Sequence, residues 1–141
     1  MEFENFNCRI CNGKLIPKVN EIVCSNCKFL QHPIKEVDFE ISPGSLKKKI
    51  DGKEDVLLID VREKWEFSMS SIKNSKLIPI RELKDEFTNL DKNKQIVTIC
   101  HFGNRSSNAA RFLIQKGFNA KSLTGGIDAW AMKIDSSVKR Y

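Results

Sequence analysis

Five cysteines carry the most evident chemistry in this sequence, and their spacing divides them into four and one. Cys8 and Cys11 form one Cys-x-x-Cys pair, Cys24 and Cys27 form another twelve residues later, and Cys100 stands alone. Paired cysteines at this spacing are typical of a metal site. A single cysteine is often only a small buried side chain, so its neighbours must decide whether it is reactive.

The two cysteine pairs predict a structural zinc site. Two intervening residues let a tight turn direct both sulfurs at one ion, and two such turns complete a tetrahedron of four thiolates. The segment from Lys14 to Val23 has the apolar patches of two short strands broken near Pro17 and Asn20, which predicts a zinc ribbon over residues 1–36. Because four protein ligands leave no open coordination position, we expect one zinc ion that stabilises the fold. Iron or an unmetallated redox pair is the alternative.

The position of Cys100 in the chain predicts that it lies at a ligand-binding edge. Gln95–Cys100 is an apolar, β-branched run that predicts a strand, and the stretch from Ser106 to Lys116 has the pattern of a helix. The short loop between them would lie at the carboxyl edge of a parallel sheet, and open parallel sheets bind their ligands there.

The loop after Cys100 contains residues that suit a cradle for its sulfur. Gly103 and Asn104 tolerate left-handed conformations, so backbone N–H groups can turn towards the cysteine. Ser106 can cap the helix, whose positive end then points at the same place. These groups, together with the charge of Arg105, favour a thiolate, and Cys100 is therefore predicted to be a nucleophile.

The larger part of the chain has the pattern of an α/β fold. From residue 37 onwards, short β-branched runs alternate with helical periods, which predicts a parallel sheet flanked by helices. The other predicted strands are Val37–Ile41, Val56–Asp60, Lys76–Ile78 and Lys121–Leu123. Helix signals are an N-cap at Ser42 with Pro43 in the first turn, an apolar stripe of Ile80, Leu83, Phe87 and Leu90, and a glycine stop at Gly117.

Composition and charge limit the classes of function. No stretch of the 141 residues approaches the roughly 18 apolar residues of a membrane span, and the acidic start MEFENF is unlike a secretory signal, so we expect a cytoplasmic protein. The net charge of +6 resides in residues 39–141, which would attract a small oxyanion, an acidic protein or a nucleic acid. The longest basic run, Lys47–Lys49, is typical of a solvated helix face and gives no support for nucleic-acid binding.

Three separated segments resemble the rhodanese (sulfurtransferase) family. CHFGNRS at residues 100–106 is similar to the active-site loop of that family, and LIDVRE at 58–63 is similar to its first central strand and the turn after it. LTGGIDAW at 123–130 resembles the closing segment. The resemblance covers roughly residues 39–131 and implies a rhodanese-like domain over residues 37–141 that follows the zinc ribbon.

The resemblance implies sulfur transfer through a persulfide. Cys100 would attack the outer sulfur of thiosulfate or another sulfane donor, and Arg105 would offer positive charge to the departing or incoming anion. Phosphatases of related fold use a loop one residue longer between cysteine and arginine, so the four residues between Cys100 and Arg105 favour sulfur over phosphate. The other predicted members of the substrate-binding loop are His101, Phe102, Gly103, Asn104 and Ser106.

The acceptor of the sulfur is expected to be external, because no second cysteine is free to resolve the persulfide within the chain. The candidates are cyanide in the test tube, a small thiol, or the carboxyl terminus of a ubiquitin-like sulfur-carrier protein. Two alternative functions stay open at this point. One is a non-catalytic binding module, and the other is a phosphatase or arsenate reductase.

Overall fold

The structure is a computed structural model that describes the strand backbones of residues 15–18, 21–24 and 30–31 and the whole of residues 39–141. The three N-terminal strands form an antiparallel sheet in the order β1-β2-β3, and the remaining strands form a separate five-stranded sheet. The N-terminal strands are β1 (Leu15–Lys18), β2 (Glu21–Cys24) and β3 (Leu30–Gln31).

The hairpin of β1 and β2 agrees with the two short strands expected between the cysteine pairs. Leu15 pairs with Cys24 and Lys18 with Glu21, so β1 and β2 are antiparallel neighbours. Pro17 lies inside β1 and does not break it, because a strand at the edge of a sheet tolerates proline.

The predicted zinc site lies largely outside the described residues. Of its four cysteines only Cys24 belongs to a described strand, whereas Cys8, Cys11 and Cys27 do not. Within the described part of the chain, no group of three or more His, Cys, Asp or Glu residues could hold a metal ion. The zinc site stays a prediction.

Five parallel strands form the sheet of the larger unit, in the order β4-β8-β7-β5-β6. They confirm the predicted α/β fold, with β7 at the centre. The predicted strand at residues 37–41 is represented by β4, and residues 37–38 lie outside the described residues. The strands are β4 (Glu40–Ile41), β5 (Val56–Asp60), β6 (Lys76–Leu77), β7 (Gln95–Ile99) and β8 (Asn119–Leu123).

Helices connect these strands on both faces of the sheet. The first helix begins as the sequence predicts, because the Ser42 hydroxyl accepts a hydrogen bond from the Ser45 N–H at 3.1 Å and Pro43 occupies the first turn. Among the described residues, no helix is long and apolar enough to cross a membrane. The helices are α1 (Pro43–Asp51), α2 (Lys64–Met69), α3 (Ile80–Glu86, followed by a 3-10 turn at Phe87–Asn89), α4 (Asn104–Gln115) and α5 (Gly126–Lys133).

The alternation of β7 decides which way Cys100 faces. Ile96 packs in the core cluster that contains α4, whereas Val97 and Ile99 pack in the cluster on the opposite face with α5. Since successive side chains of a strand point to opposite faces, Cys100 lies on the face of Ile96, under the start of α4. The fold therefore places Cys100 at the amino-terminal end of α4.

Candidate active site

Cys100 follows the last residue of β7 at the carboxyl edge of the sheet, and only 1% of its surface is exposed. The backbone N–H of Gly103 donates a hydrogen bond to its Sγ at 3.0 Å. The hydroxyl of Ser106 lies 3.2 Å from the same sulfur. Two polar groups of the loop and of the following helix therefore hold the sulfur, as expected for an anion-stabilising cradle.

Gly103 allows the loop to turn tightly enough for its backbone N–H to reach the sulfur of Cys100. Its φ of +111° lies in the left-handed region that favours glycine, and it is the N-cap of α4. The helix begins at Asn104, two residues earlier than predicted, so Asn104 has helical rather than left-handed backbone. The early start brings the positive end of α4 directly beside Cys100.

The prediction that Ser106 caps α4 is wrong. Ser106 lies inside the first turn, where its fully buried hydroxyl is 3.2 Å from the carbonyl of Gly103 and 2.8 Å from the hydroxyl of Ser122 on β8. The Cys100 thiol donates to this hydroxyl, which in turn donates to the Gly103 carbonyl. Because a serine hydroxyl rotates and has one proton, it can turn that proton to the sulfur once Cys100 is a thiolate. Ser122 was not identified from the sequence, where a polar residue within a buried strand is its only signal.

Arg105 forms a two-pronged ion pair with Glu66 on α2. Its Nη1 donates to Oε2 at 2.7 Å and its Nη2 to Oε1 at 2.8 Å. The pairing lowers the pKa of Glu66 to about 2 and raises the pKa of Arg105, to which the neighbouring charge of Cys100 adds a smaller contribution. The Arg105 side chain remains 37% exposed, whereas that of Glu66 is 6% exposed. The Glu66 carboxylate therefore fixes the orientation of the Arg105 guanidinium and offsets part of its positive charge.

Glu66 is the main site residue that the sequence reasoning missed. Its available signal was a capping box, since Glu66 stands three residues after Glu63 at the start of α2. The structure contains that capping interaction, with the Glu63 N–H donating to Glu66 Oε2 at 2.8 Å. The signal predicts a helix start but not the contact with Arg105, which is 39 residues away in sequence.

A second ion pair, fully buried, supports the site from β5. Arg62 Nε lies 2.9 Å from Asp60 Oδ1, and its Nη2 lies 2.7 Å from Oδ2 and 2.6 Å from the carbonyl of Ser70. Neither charged side chain is exposed. Because Arg62 bonds both the Asp60 carboxylate and the Ser70 carbonyl, this pair can tie the end of β5 to the end of α2.

Aromatic rings surround the rim of the loop. Phe102 is 60% exposed, and its ring stacks on His101 with a centroid distance of 3.8 Å. The opposite face of His101 stacks on Tyr141 at 4.0 Å. His101 Nε2 is buried, and no group within the described residues forms a hydrogen bond with it. The two loop residues therefore lie on the rim, where they can contact a substrate or partner.

The amino-terminal end of α5 locks the backbone of the loop. The N–H of Ile127 donates to the carbonyl of Cys100 at 2.8 Å, and the N–H of Asp128 donates to the carbonyl of His101 at 3.1 Å. This contact requires glycine at position 126, because a Cβ there would lie 2.4 Å from the His101 carbonyl oxygen and 2.5 Å from that of Cys100.

Comparison with known proteins agrees with this geometry. The sequence profile of the rhodanese-like domain matches residues 42–133. The chain belongs to the rhodanese-like family.

A protein named "Sulfurtransferase" from Allochromatium vinosum is 33% identical over 93 residues, which cover 65% of this chain and 87% of that protein. The maize protein named "Adenylyltransferase and sulfurtransferase MOCS3-2" is 35% identical over 103 residues, covering 67% of this chain but only 21% of the maize protein. The crystal structure of a rhodanese-related protein from Thermoplasma volcanium superimposes with a TM-score of 0.64 at 36% identity, covering 68% of this chain and 93% of that one. These relatives support a sulfurtransferase at the level of the family.

Proposed function

We propose that this rhodanese-like domain accepts a sulfane sulfur on Cys100 and passes it to an external acceptor. With thiosulfate, the Cys100 thiolate attacks the outer sulfur, a new S–S bond forms, the S–S bond of thiosulfate breaks, and sulfite leaves with the electron pair. An acceptor such as cyanide then attacks the outer sulfur of the persulfide, which releases thiocyanate and restores the thiolate. No outside oxidant or reductant is needed in either step.

The observation that carries this proposal is the pair of hydrogen bonds at the sulfur of Cys100. The Gly103 N–H and the Ser106 hydroxyl both lie within 3.2 Å of Sγ, at the positive end of α4. The Gly103 N–H stabilises the thiolate that must attack and that must leave again in the second step, and the Ser106 hydroxyl can turn its proton to the sulfur once the thiol is ionised.

The site suits sulfur better than phosphate. Only four residues separate Cys100 from Arg105, so the loop encloses a small space. Arg105 also gives two of its hydrogen-bond donors to Glu66. Arg105 keeps three further N–H groups that can face an anion at Cys100, so the preference for sulfur over phosphate rests on the short loop.

The acceptor is proposed to be external because Cys100 is the only cysteine between residues 39 and 141. A protein acceptor with an acidic surface would suit the excess of basic residues in this part of the chain. The maize relative combines adenylyltransferase and sulfurtransferase in its name. By analogy, we propose the activated carboxyl terminus of a sulfur-carrier protein as one acceptor, and a small thiol as another.

For the N-terminal part of the chain we propose one structural zinc ion held by Cys8, Cys11, Cys24 and Cys27. The register that pairs Leu15 with Cys24 supports this proposal, because both cysteine pairs adjoin the same open end of the hairpin in sequence. Four thiolates are a donor set that zinc accepts in structural sites. The ion would stabilise this segment and leave the chemistry to Cys100.

The test of the proposed function is direct transfer of sulfur. Reduced protein is incubated with thiosulfate, its intact mass is measured for one added sulfur, and peptide mapping locates the sulfur. Cyanide is then added and thiocyanate is measured. We expect one sulfur on Cys100 and its release by cyanide. If the native protein gains no sulfur, or if Cys100→Ser gains as much, the proposed function is wrong.

A further inference from the structure

Tyr141 connects the two ion pairs beneath the active-site loop. Its hydroxyl accepts a hydrogen bond from Arg62 Nη1 at 2.7 Å and donates one to Glu66 Oε1 at 3.0 Å. The same Glu66 oxygen accepts from Arg105 Nη2. A continuous chain of hydrogen bonds therefore runs from the buried pair of Asp60 and Arg62 to Arg105, the residue next to the Cys100 cradle.

The ring of Tyr141 also contacts the loop. It stacks on His101 with a centroid distance of 4.0 Å and an interplanar angle of 13°. On another side it meets the edge of Trp65 on α2 at 6.1 Å. Tyr141 thus touches the catalytic loop through its ring and the support of Arg105 through its hydroxyl.

The segment before Tyr141 is anchored at several points. Val138 is buried in the core cluster beside α5. The carbonyl of Lys139 accepts a hydrogen bond from the Ser70 hydroxyl at 3.0 Å, and Arg140 forms an ion pair with Asp128 at 2.9 Å. These contacts hold the backbone of residues 138–140 against α2 and α5. The position of Tyr141 is therefore fixed by its neighbours as well as by its own side chain.

We propose that Tyr141 is a positioning residue for sulfur transfer, whose hydroxyl holds Glu66, and through it Arg105, in the orientation that receives an anion at Cys100. This inference rests on the function proposed above. Removing the hydroxyl leaves Arg62 Nη1 without this acceptor and takes one donor from Glu66. The carboxylate can then shift towards Arg62, and Arg105 loses its fixed direction.

The protonation of these groups is consistent with this arrangement. Burial raises the pKa of Tyr141 above its ordinary value, so its hydroxyl keeps the proton that it donates at neutral pH. The hydrogen bond from Tyr141 is one of the interactions that lower the pKa of Glu66, after the larger contribution of Arg105.

The test compares an anionic and a neutral reagent at the same sulfur. Iodoacetate and iodoacetamide both alkylate cysteine, and the ratio of their rates at Cys100, followed by peptide mass spectrometry, reports the positive charge near the sulfur. Tyr141→Phe removes the hydroxyl and keeps the ring, whereas Tyr141→Leu removes both. Ser137→Ala is the control, because Ser137 is exposed and its hydroxyl donates to Asp135, away from Glu66 and Arg105.

We expect Tyr141→Phe to lower the iodoacetate to iodoacetamide ratio about threefold or more, since one hydrogen bond to a charged group is lost. Tyr141→Leu should lower it at least as much, and Ser137→Ala should leave it unchanged. An unchanged ratio in Tyr141→Phe overturns the inference. A fall confined to Tyr141→Leu also overturns it, because the ring rather than the hydroxyl would then be responsible.

The sulfur-transfer assay gives a second readout. Tyr141→Phe should reduce kcat/KM for the dianion thiosulfate about fivefold or more, mainly through KM, while its urea midpoint stays near that of the native protein. An equal loss for every donor with an unchanged KM would instead indicate a structural role and overturn the inference. If the native protein accepts no sulfur, the proposed function fails, and the alkylation ratio still decides the role of Tyr141.

Discussion

The contact between Gly126 and the loop that begins at Cys100 gives the most demanding test of the structure. Gly126 has a φ of +63°, and a Cβ at this position would lie 2.4 Å from the His101 carbonyl oxygen and 2.5 Å from that of Cys100. Both neighbours are backbone atoms, so no side chain can rotate to make room. Gly126→Ala must therefore move α5 away from the loop or twist the loop itself.

The expected loss of stability follows from three contributions. A side chain in the left-handed region costs about 1–2 kcal/mol, and overpacking of a closed contact costs about 1–3 kcal/mol. The hydrogen bonds to the carbonyls of Cys100 and His101 are weakened as the segments part, which costs up to about 1 kcal/mol each. We therefore expect Gly126→Ala to lower the free energy of unfolding by about 3–5 kcal/mol, a large part of the roughly 5–15 kcal/mol typical of a domain.

Urea denaturation followed by circular dichroism measures this change. With a typical urea dependence of about 1–3 kcal/mol per molar, the midpoint should fall by about 2 M. Gly44→Ala is the matched control, because a Cβ on Gly44 meets nothing within 4 Å and alanine favours the helix, so its midpoint should stay the same or rise slightly. In the folded Gly126→Ala protein, sulfur loading of Cys100 should slow by about tenfold or more, because the loop that holds the sulfur is displaced.

The reasoning is refuted if Gly126→Ala and Gly44→Ala have the same midpoint as the native protein. It is also refuted if Gly126→Ala loses stability but loads sulfur at the native rate. The second result would mean that the contact stabilises the fold without setting the geometry of Cys100.

Three further predictions concern charge and metal. Glu66 is ionised in the folded state down to its pKa of about 2, against an ordinary value of 4.5, so it contributes stability that is present above about pH 4.5 and lost as the pH falls towards 2. Glu66→Gln should therefore lower the free energy of unfolding by about 2 kcal/mol at pH 7. The variant should also lose most of the fall in urea midpoint that the native protein shows between pH 4.5 and 2. An unaltered dependence of the midpoint on pH would contradict the ion pair. Asp60→Asn leaves the Arg62 charge buried without its carboxylate and should cost about 3–5 kcal/mol by urea denaturation, whereas a loss below about 1 kcal/mol would show that the pair is dispensable. Native protein should contain one zinc ion per chain by elemental analysis and release it to a strong chelator, and Cys24→Ser should bind less; full zinc in that variant would reject the ligand assignment.

Local features of the sequence were sufficient for much of the fold. The apolar run that ends in Asp60 predicted a strand over Val56–Asp60, and β5 has those bounds. Ser42 followed by proline predicted the start of α1, because capping depends on neighbouring residues. The family was also predicted from separated segments, and the match to residues 42–133 confirms it.

The start of α4 was predicted two residues too late for a physical reason. Serine is a common N-cap, so Ser106 was assigned that position. In the structure Gly103 takes a left-handed conformation and caps the helix, since the chain must turn sharply to bring its N–H to the sulfur of Cys100. This requirement comes from the tertiary packing of the loop and has no local signal that outweighs the serine.

The sequence by itself determined which residues are the candidates for chemistry: a cysteine, Cys100, between a strand and a helix, with Arg105 five positions later. These signals are local, because spacing along a loop limits what its backbone can enclose. Only the tertiary structure decided which groups support that chemistry. Glu66 and Tyr141 meet near Arg105 because α2 and the segment after α5 pack at the same edge of the sheet, and hydrophobic patterns do not specify which charges such packing brings together.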